Sequence, residues 1–169
     1  ENRDCKGAGN KVNNLIMIIG FDAKRIVKNF TGLGNYSRTL VNGLAEILPK
    51  DVQLRLYAPD KGNDILREQV KERDNVRFVY PEKHTVRLPK AIWRIHGIVD
   101  DLKRDGVELY HGLTGELPFG IKKSGIKTVV TIHDLIFMRH PEYYNWIDTK
   151  IYGWKFRQTC READRIIAI

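Results

Sequence analysis

The chain has 169 residues, 42% of them apolar and 30% charged, ordinary for a globular domain and long enough to bury a core. Its net charge of +8 favours anionic partners such as nucleotides or phospholipid headgroups, but no block of like charge interleaves with stacking aromatics, which argues against nucleic acid. No apolar run approaches the roughly 20 residues that span a bilayer, and Cys5 and Cys160 match neither a zinc spacing nor a disulfide framework, as expected of a reducing compartment.

Residues 1–14 read as a flexible polar leader, without the basic start and apolar middle of a signal peptide. Residues 15–21 are almost continuously apolar and read as a fully buried central strand. A polar loop comes next, up to Gly32 and Gly34, and a helix is predicted from about Asn35 to Leu48, with Tyr36, Leu40, Leu44 and Leu48 recurring every fourth residue and Pro49 ending it. A buried strand, a glycine loop and a helix N-terminus together make a place to hold an anion, because glycines let backbone N–H groups approach closely and the first helical turn leaves donors unpaired. A tight turn is the plainer reading of the same glycines.

Residues 52–58 alternate as a second strand, 64–71 form a short polar helix, and 76–79 a third strand. A charged loop at 82–87 leads to a helix over 88–104, with Leu88, Ile92, Ile95, Val99 and Leu102 on one stripe and Lys90 and Arg94 on a solvated face. Gly106 closes that helix. The fourth strand is 107–111, a glycine-rich loop runs over 112–125, and the fifth strand is 127–132. An amphipathic helix over 148–163 precedes a sixth strand beginning at Arg165. A chain that stops inside an apolar strand is expected to continue into a further domain.

Strands and helices alternate throughout, so the fold class is α/β: a Rossmann-like, doubly wound parallel sheet in the order 3-2-1-4-5-6. Ligands of such sheets sit beyond the carboxyl ends of the strands, at the switch point between the first and fourth. That rule selects Gly32 and Gly34 after the first strand, His111 and Gly112 after the fourth, and His133 and Asp134 after the fifth. His84, His96 and His140 read as surface or structural.

Three segments meet there in this reading: T-G-L-G-N-Y at 31–36, Y-H-G-L-T at 110–114, and T-I-H-D-L at 131–135 with H-P-E-Y-Y at 140–144 after it. With F-D-A-K-R upstream and A-D-R-I-I-A-I at the end, the pattern resembles the N-terminal, acceptor-side domain of glycosyltransferase family 4, the retaining GT-B enzymes. The resemblance covers 15–169. It implies a nucleotide-sugar donor, GDP-mannose or a UDP-sugar with a lean to mannose, and a glycan or lipid-linked acceptor in cell-surface polysaccharide synthesis. It implies no metal and no cofactor, and a cytoplasmic protein with peripheral membrane contact.

By the same resemblance, Gly32 and Gly34 approach the donor diphosphate. His133 hydrogen-bonds a sugar hydroxyl, and Asp134 orients it or binds a hydroxyl. Asn35, Tyr36, His111 and Gly112 line the acceptor side of the cleft. Structural readings stand beside these: His133 as a histidine bonded to a neighbouring loop, Asp134 as a cap. The family's donor-binding domain, with its E-x7-E segment, is absent from this chain, so the fragment alone is expected to be inactive.

Three other readings compete. A dinucleotide-binding oxidoreductase domain would place its glycines directly at the strand end and carry a third glycine where Ser37 stands. A sugar-nucleotide epimerase shares the architecture. A non-enzymatic binding or regulatory module is the third.

Overall fold

The computed structural model describes residues 16–71, 73–81 and 89–169. The expected leader, Cys5, Leu15, the charged loop at 82–87 with His84 and Arg87, and Leu88 lie outside the described residues. The order of elements is β1 (Met17–Asp22), α1 (Lys24–Lys28), α2 (Gly32–Ile47), β2 (Val52–Tyr57), α3 (Asp64–Glu68), β3 (Val76–Val79), α4 (Lys90–Ile92), a π-helical turn (Trp93–Gly97), α5 (Ile98–Arg104), β4 (Leu109–Gly112), a 3-10 turn (Ile121–Ser124), β5 (Lys127–Ile132), α6 (Ile136–Arg139), a second 3-10 turn (Pro141–Tyr143), α7 (Trp146–Glu162) and β6 (Arg165–Ala168).

The six strands form one parallel sheet in the order β3-β2-β1-β4-β5-β6, as the alternation of elements predicts. Successive side chains point to opposite faces of a strand, so the sheet carries two cores. One face packs Phe21, Ile26, Val27, Val41, Leu54, Leu56 and Leu113 under α1 and α2. The other packs Trp93, Ile98, Leu102, Tyr110, Leu117, Val130 and Ile132, with Phe156 of α7 against them. Among the described residues no helix is long and apolar enough to cross a membrane.

Four local expectations are corrected. The polar loop after β1 holds a short helix, α1, whose Ile26 and Val27 are buried; five residues are too few to display a helical period. The first long helix begins at Gly32 and not Asn35, so both glycines are in its first turn. The helix expected over 88–104 is interrupted by the π turn, which adds a residue to the ladder and rotates the turns downstream of it. At the junction Trp93 takes the buried position while Ile92 is exposed. Arg94, within the π turn, is half-buried with its side chain only 15% exposed and paired to Asp22, so it is not part of a solvated face.

Candidate functional site

The carboxyl ends of β1, β4 and β5 lie side by side, with Phe21 paired to His111 and Gly112 to Val130. Because consecutive residues face opposite ways, the edge carries two polar clusters, one on each face.

On the α2 face, Thr131 of β5 sits between two partners. Its hydroxyl hydrogen-bonds His111 Nε2 at 2.9 Å and the Tyr36 hydroxyl at 3.1 Å. His111 is buried, and burial pushes its pKa down to about 4, so the imidazole is neutral near pH 7. Tyr36 also meets His133 edge-on, with ring centroids 4.8 Å apart. His133 Nε2 lies 2.9 Å from the Leu113 carbonyl. A carbonyl only accepts, so Nε2 carries the hydrogen and Nδ1 is the nitrogen left for another partner. Sequence order alone does not reveal that Thr131 joins His111 to Tyr36, whose ring in turn packs against His133.

The N-terminus of α2 stands beside this cluster. Asn29 caps it from outside: its Oδ1 accepts from the Thr31 N–H, the Thr31 hydroxyl and the Gly34 N–H. The Gly32 and Leu33 N–H groups have no acceptor among the described residues. The two glycines differ in what they do. A Cβ on Gly34 would fall 2.0 Å from the Asn29 carbonyl oxygen, so packing of the loop on the helix demands glycine there. Around a Cβ on Gly32 there is open space. Beneath the turn, buried Arg38 donates to the carbonyls of Ile26 and Asn29 and to Asn35 Oδ1. None of these acceptors is a carboxylate, and burial lowers the Arg38 pKa from its ordinary value. Helix dipole and guanidinium thus put positive potential at Gly32 and Leu33.

Asp134 is exposed, and its Oδ1 accepts from the Ile136 N–H in the turn that enters α6. Gly112 is buried, and a Cβ there would lie 2.2 Å from the Glu116 carbonyl oxygen, so glycine lets residues 113–117 fold back over the strand end. Asn35 is exposed and engaged by Arg38.

On the opposite face the cluster is ionic. Asp22 is buried at the end of β1, with Arg94 Nε 3.8 Å from its Oδ2. Arg94 also pairs with Glu116, and Lys155 of α7 lies 3.7 Å from the same carboxylate. Asp22, Arg94, Glu116 and Lys155 are far apart in sequence, and no local motif marks them. Among the described residues, no three His, Cys, Asp or Glu side chains gather to hold a metal ion.

The glycines of α2 come ten residues after β1 with α1 between, which is not the strand–glycine–helix turn of a dinucleotide fold. No curated protein and no solved structure matches the chain. The family model of Glycosyltransferase Family 4 matches residues 30–169, which takes in α2 to β6 and begins after β1 and the F-D-A-K-R segment. With most of its length matched, and with its parallel sheet in the order read from its sequence, the chain belongs to glycosyltransferase family 4.

Proposed function

We propose that this chain is the N-terminal, acceptor-side half of a retaining GT-B glycosyltransferase. It moves a hexosyl group, mannose from GDP-mannose in the first instance, onto a glycan or lipid-linked acceptor of a cell-surface polysaccharide. The observation that carries the reading is the pairing of the open α2 N-terminus with His133 across Tyr36. Transfer from a nucleotide sugar develops negative charge on the leaving diphosphate, and donors already fixed in place stabilise it without reorganising. The Gly32 and Leu33 N–H groups and the field of Arg38 are such donors. His133, held by the Leu113 carbonyl, offers Nδ1 to a sugar hydroxyl and positions the anomeric carbon.

His111 and Tyr36 line the acceptor side. Asp134, whose Oδ1 accepts from the Ile136 N–H, acts by fixing the turn after His133. The donor base, most of the nucleotide contacts and the far wall of the cleft belong to a second domain. No metal is required in this scheme. The protein works in the cytoplasm, against the inner face of the membrane when its acceptor is a lipid.

The test has two steps. The intact mass of the natural polypeptide comes first: about twice this size leaves room for a second domain. That polypeptide is then assayed against GDP- and UDP-sugars. Sugar transfer with retention at the anomeric carbon supports the reading. A natural chain ending near Ile169, with no separate donor-domain subunit, overturns it in favour of a binding module.

A further inference from the structure

The segment after β4 joins the two faces of the sheet edge. Leu113 is buried in the core under α2, and Leu117 in the core on the other face. Residues 113–117 therefore cross over the end of the strand. The crossing is tight: Gly115 has a φ of +77°, and the Glu116 carbonyl oxygen lies where a side chain on Gly112 would stand. Gly112 and Gly115 make this path possible. Glycine by itself leaves a chain free to take other paths, so holding this one needs an anchor from outside the segment.

The anchor is on the ionic face. The Glu116 carboxylate pairs with Arg94 of the π turn, and Lys155 of α7 lies 3.7 Å from it. Arg94 is held in turn by buried Asp22. A second tie lies just beyond: the Phe119 N–H donates to the Ile95 carbonyl at 2.8 Å. Arg94 and Ile95 are adjacent residues of the π turn, so that turn grips the segment at two points. The other end of the segment meets the neutral cluster, where the Leu113 carbonyl accepts from His133 Nε2 at 2.9 Å. A short run of backbone and one hydrogen bond thus connect the Glu116 carboxylate to the imidazole.

We propose that Glu116 is a positioning residue for His133. Held by Arg94 and Lys155, it fixes the path of residues 113–117. The Leu113 carbonyl then stays where it takes the Nε2 hydrogen and leaves Nδ1 for the substrate. The inference rests on the transferase reading for what Nδ1 does, and on the contacts alone for how the ring is held. Loosening the tether lets the carbonyl drift and the ring with it. A displacement of about 1 Å at a positioning group is enough to lower a rate by about 100-fold.

The experiment uses the full natural polypeptide and two readouts, one of them independent of turnover. That one is the His133 Nε2–H signal in proton–nitrogen NMR. An imidazole N–H open to water exchanges too fast to be seen, whereas one held by a carbonyl at a half-buried position persists. The wild type should show the signal and Glu116→Ala should lose it. In the same variant kcat for sugar transfer should fall about tenfold, with KM for the nucleotide sugar little changed. Glu116→Gln keeps the length and an acceptor for Arg94, and should recover most of both readouts. Glu46→Ala, which breaks an ion pair with Arg73 at the far end of α2, should leave both as in the wild type. Either readout unchanged in a folded Glu116→Ala overturns the proposal, as does a wild type without the signal. Where Glu116→Ala fails to fold, Lys155→Gln decides by the same readouts, since that lysine is partly exposed. A wild type that transfers no sugar fails the transferase reading, and the NMR signal alone then decides how His133 is held.

Discussion

Two polar clusters share one sheet edge and meet the cost of burial in opposite ways. On the α2 face, Tyr36, Thr131 and His111 form a neutral hydrogen-bonded chain, and His111 gives up its proton. On the other face, buried Asp22 and half-buried Arg94 and Glu116 meet that cost by ion pairing. A neutral chain orients groups and exchanges hydrogen bonds with a sugar hydroxyl at little electrostatic cost. An ionic cluster sets a strong local field suited to a charged group. The contrast sets a face where a neutral hydrogen-bonded chain adjoins the N-terminus of α2 against a face where buried charge is met by charge.

The largest expected effect lies on the neutral side. His133→Ala in the full natural polypeptide should lower kcat/KM for nucleotide-sugar transfer by roughly 100-fold or more, with the far-UV spectrum and unfolding midpoint little changed. His133 is half-buried and its side chain hydrogen-bonds the Leu113 carbonyl, so its loss does not open the core. Wild-type turnover would leave His133 as a structural tie between two loops and remove the proposed division of the edge.

On the ionic side the expected loss is in stability. Arg94→Met removes the guanidinium paired with the buried Asp22 carboxylate, which should cost about 3 kcal/mol, read from urea unfolding. Asp22→Asn/Arg94→Met should recover much of that, because the uncompensated charge goes with its partner. If the single and double variants were equally destabilised, the cluster would be held by packing and not by charge, and the contrast between the two faces would fail.

How much of this is legible in the sequence depends on the range over which each feature is encoded. The sheet order is legible because alternation of β-branched strands with helices recurs along the whole chain, and because right-handed crossovers leave few arrangements. The residues His111, Gly112, His133 and Asp134 are legible as positions because they end strands. Their partners are not. Thr131 links His111 to Tyr36 only after three segments have folded together, and Arg94 meets Asp22 from within a π turn. Nothing in the local pattern of Ile92 and Ile95 announces that turn. In the sequence Gly34 stands out for its freedom to approach a ligand, whereas the close Asn29 carbonyl supplies a packing reason that only the fold displays.

A smaller effect distinguishes the clusters by pH. The pKa of His111 falls from 6.5 to about 4 on folding, so between these values the unfolded chain binds more protons than the folded one. The associated stability is present in full above about pH 6.5 and is lost as the pH falls through about 4. Between pH 7 and pH 5 the loss should be about 2 kcal/mol. His111→Asn should flatten that part of the pH profile of the urea midpoint. Profiles that remain parallel would show that the imidazole does not carry the titration.

The smallest expected effect is the most informative about the link between the two histidines. Tyr36→Phe keeps the ring that packs against His133 and removes only the hydroxyl that reaches Thr131. The hydrogen bond is partly buried and neutral, so its loss should cost about 1 kcal/mol of stability. Thr131 retains His111 as a partner, which limits the penalty for an unsatisfied group. The consequence for turnover depends on whether the chain acts as a unit. If Tyr36 positions His133 through ring packing alone, kcat should be nearly unchanged in Tyr36→Phe and reduced in Tyr36→Leu. If the hydroxyl chain sets the acceptor side, KM for the acceptor should rise in Tyr36→Phe while KM for the nucleotide sugar stays fixed. An equal rise in both would mean that the neutral cluster does not separate the two substrates, and that the donor and acceptor roles assigned to this face must be merged.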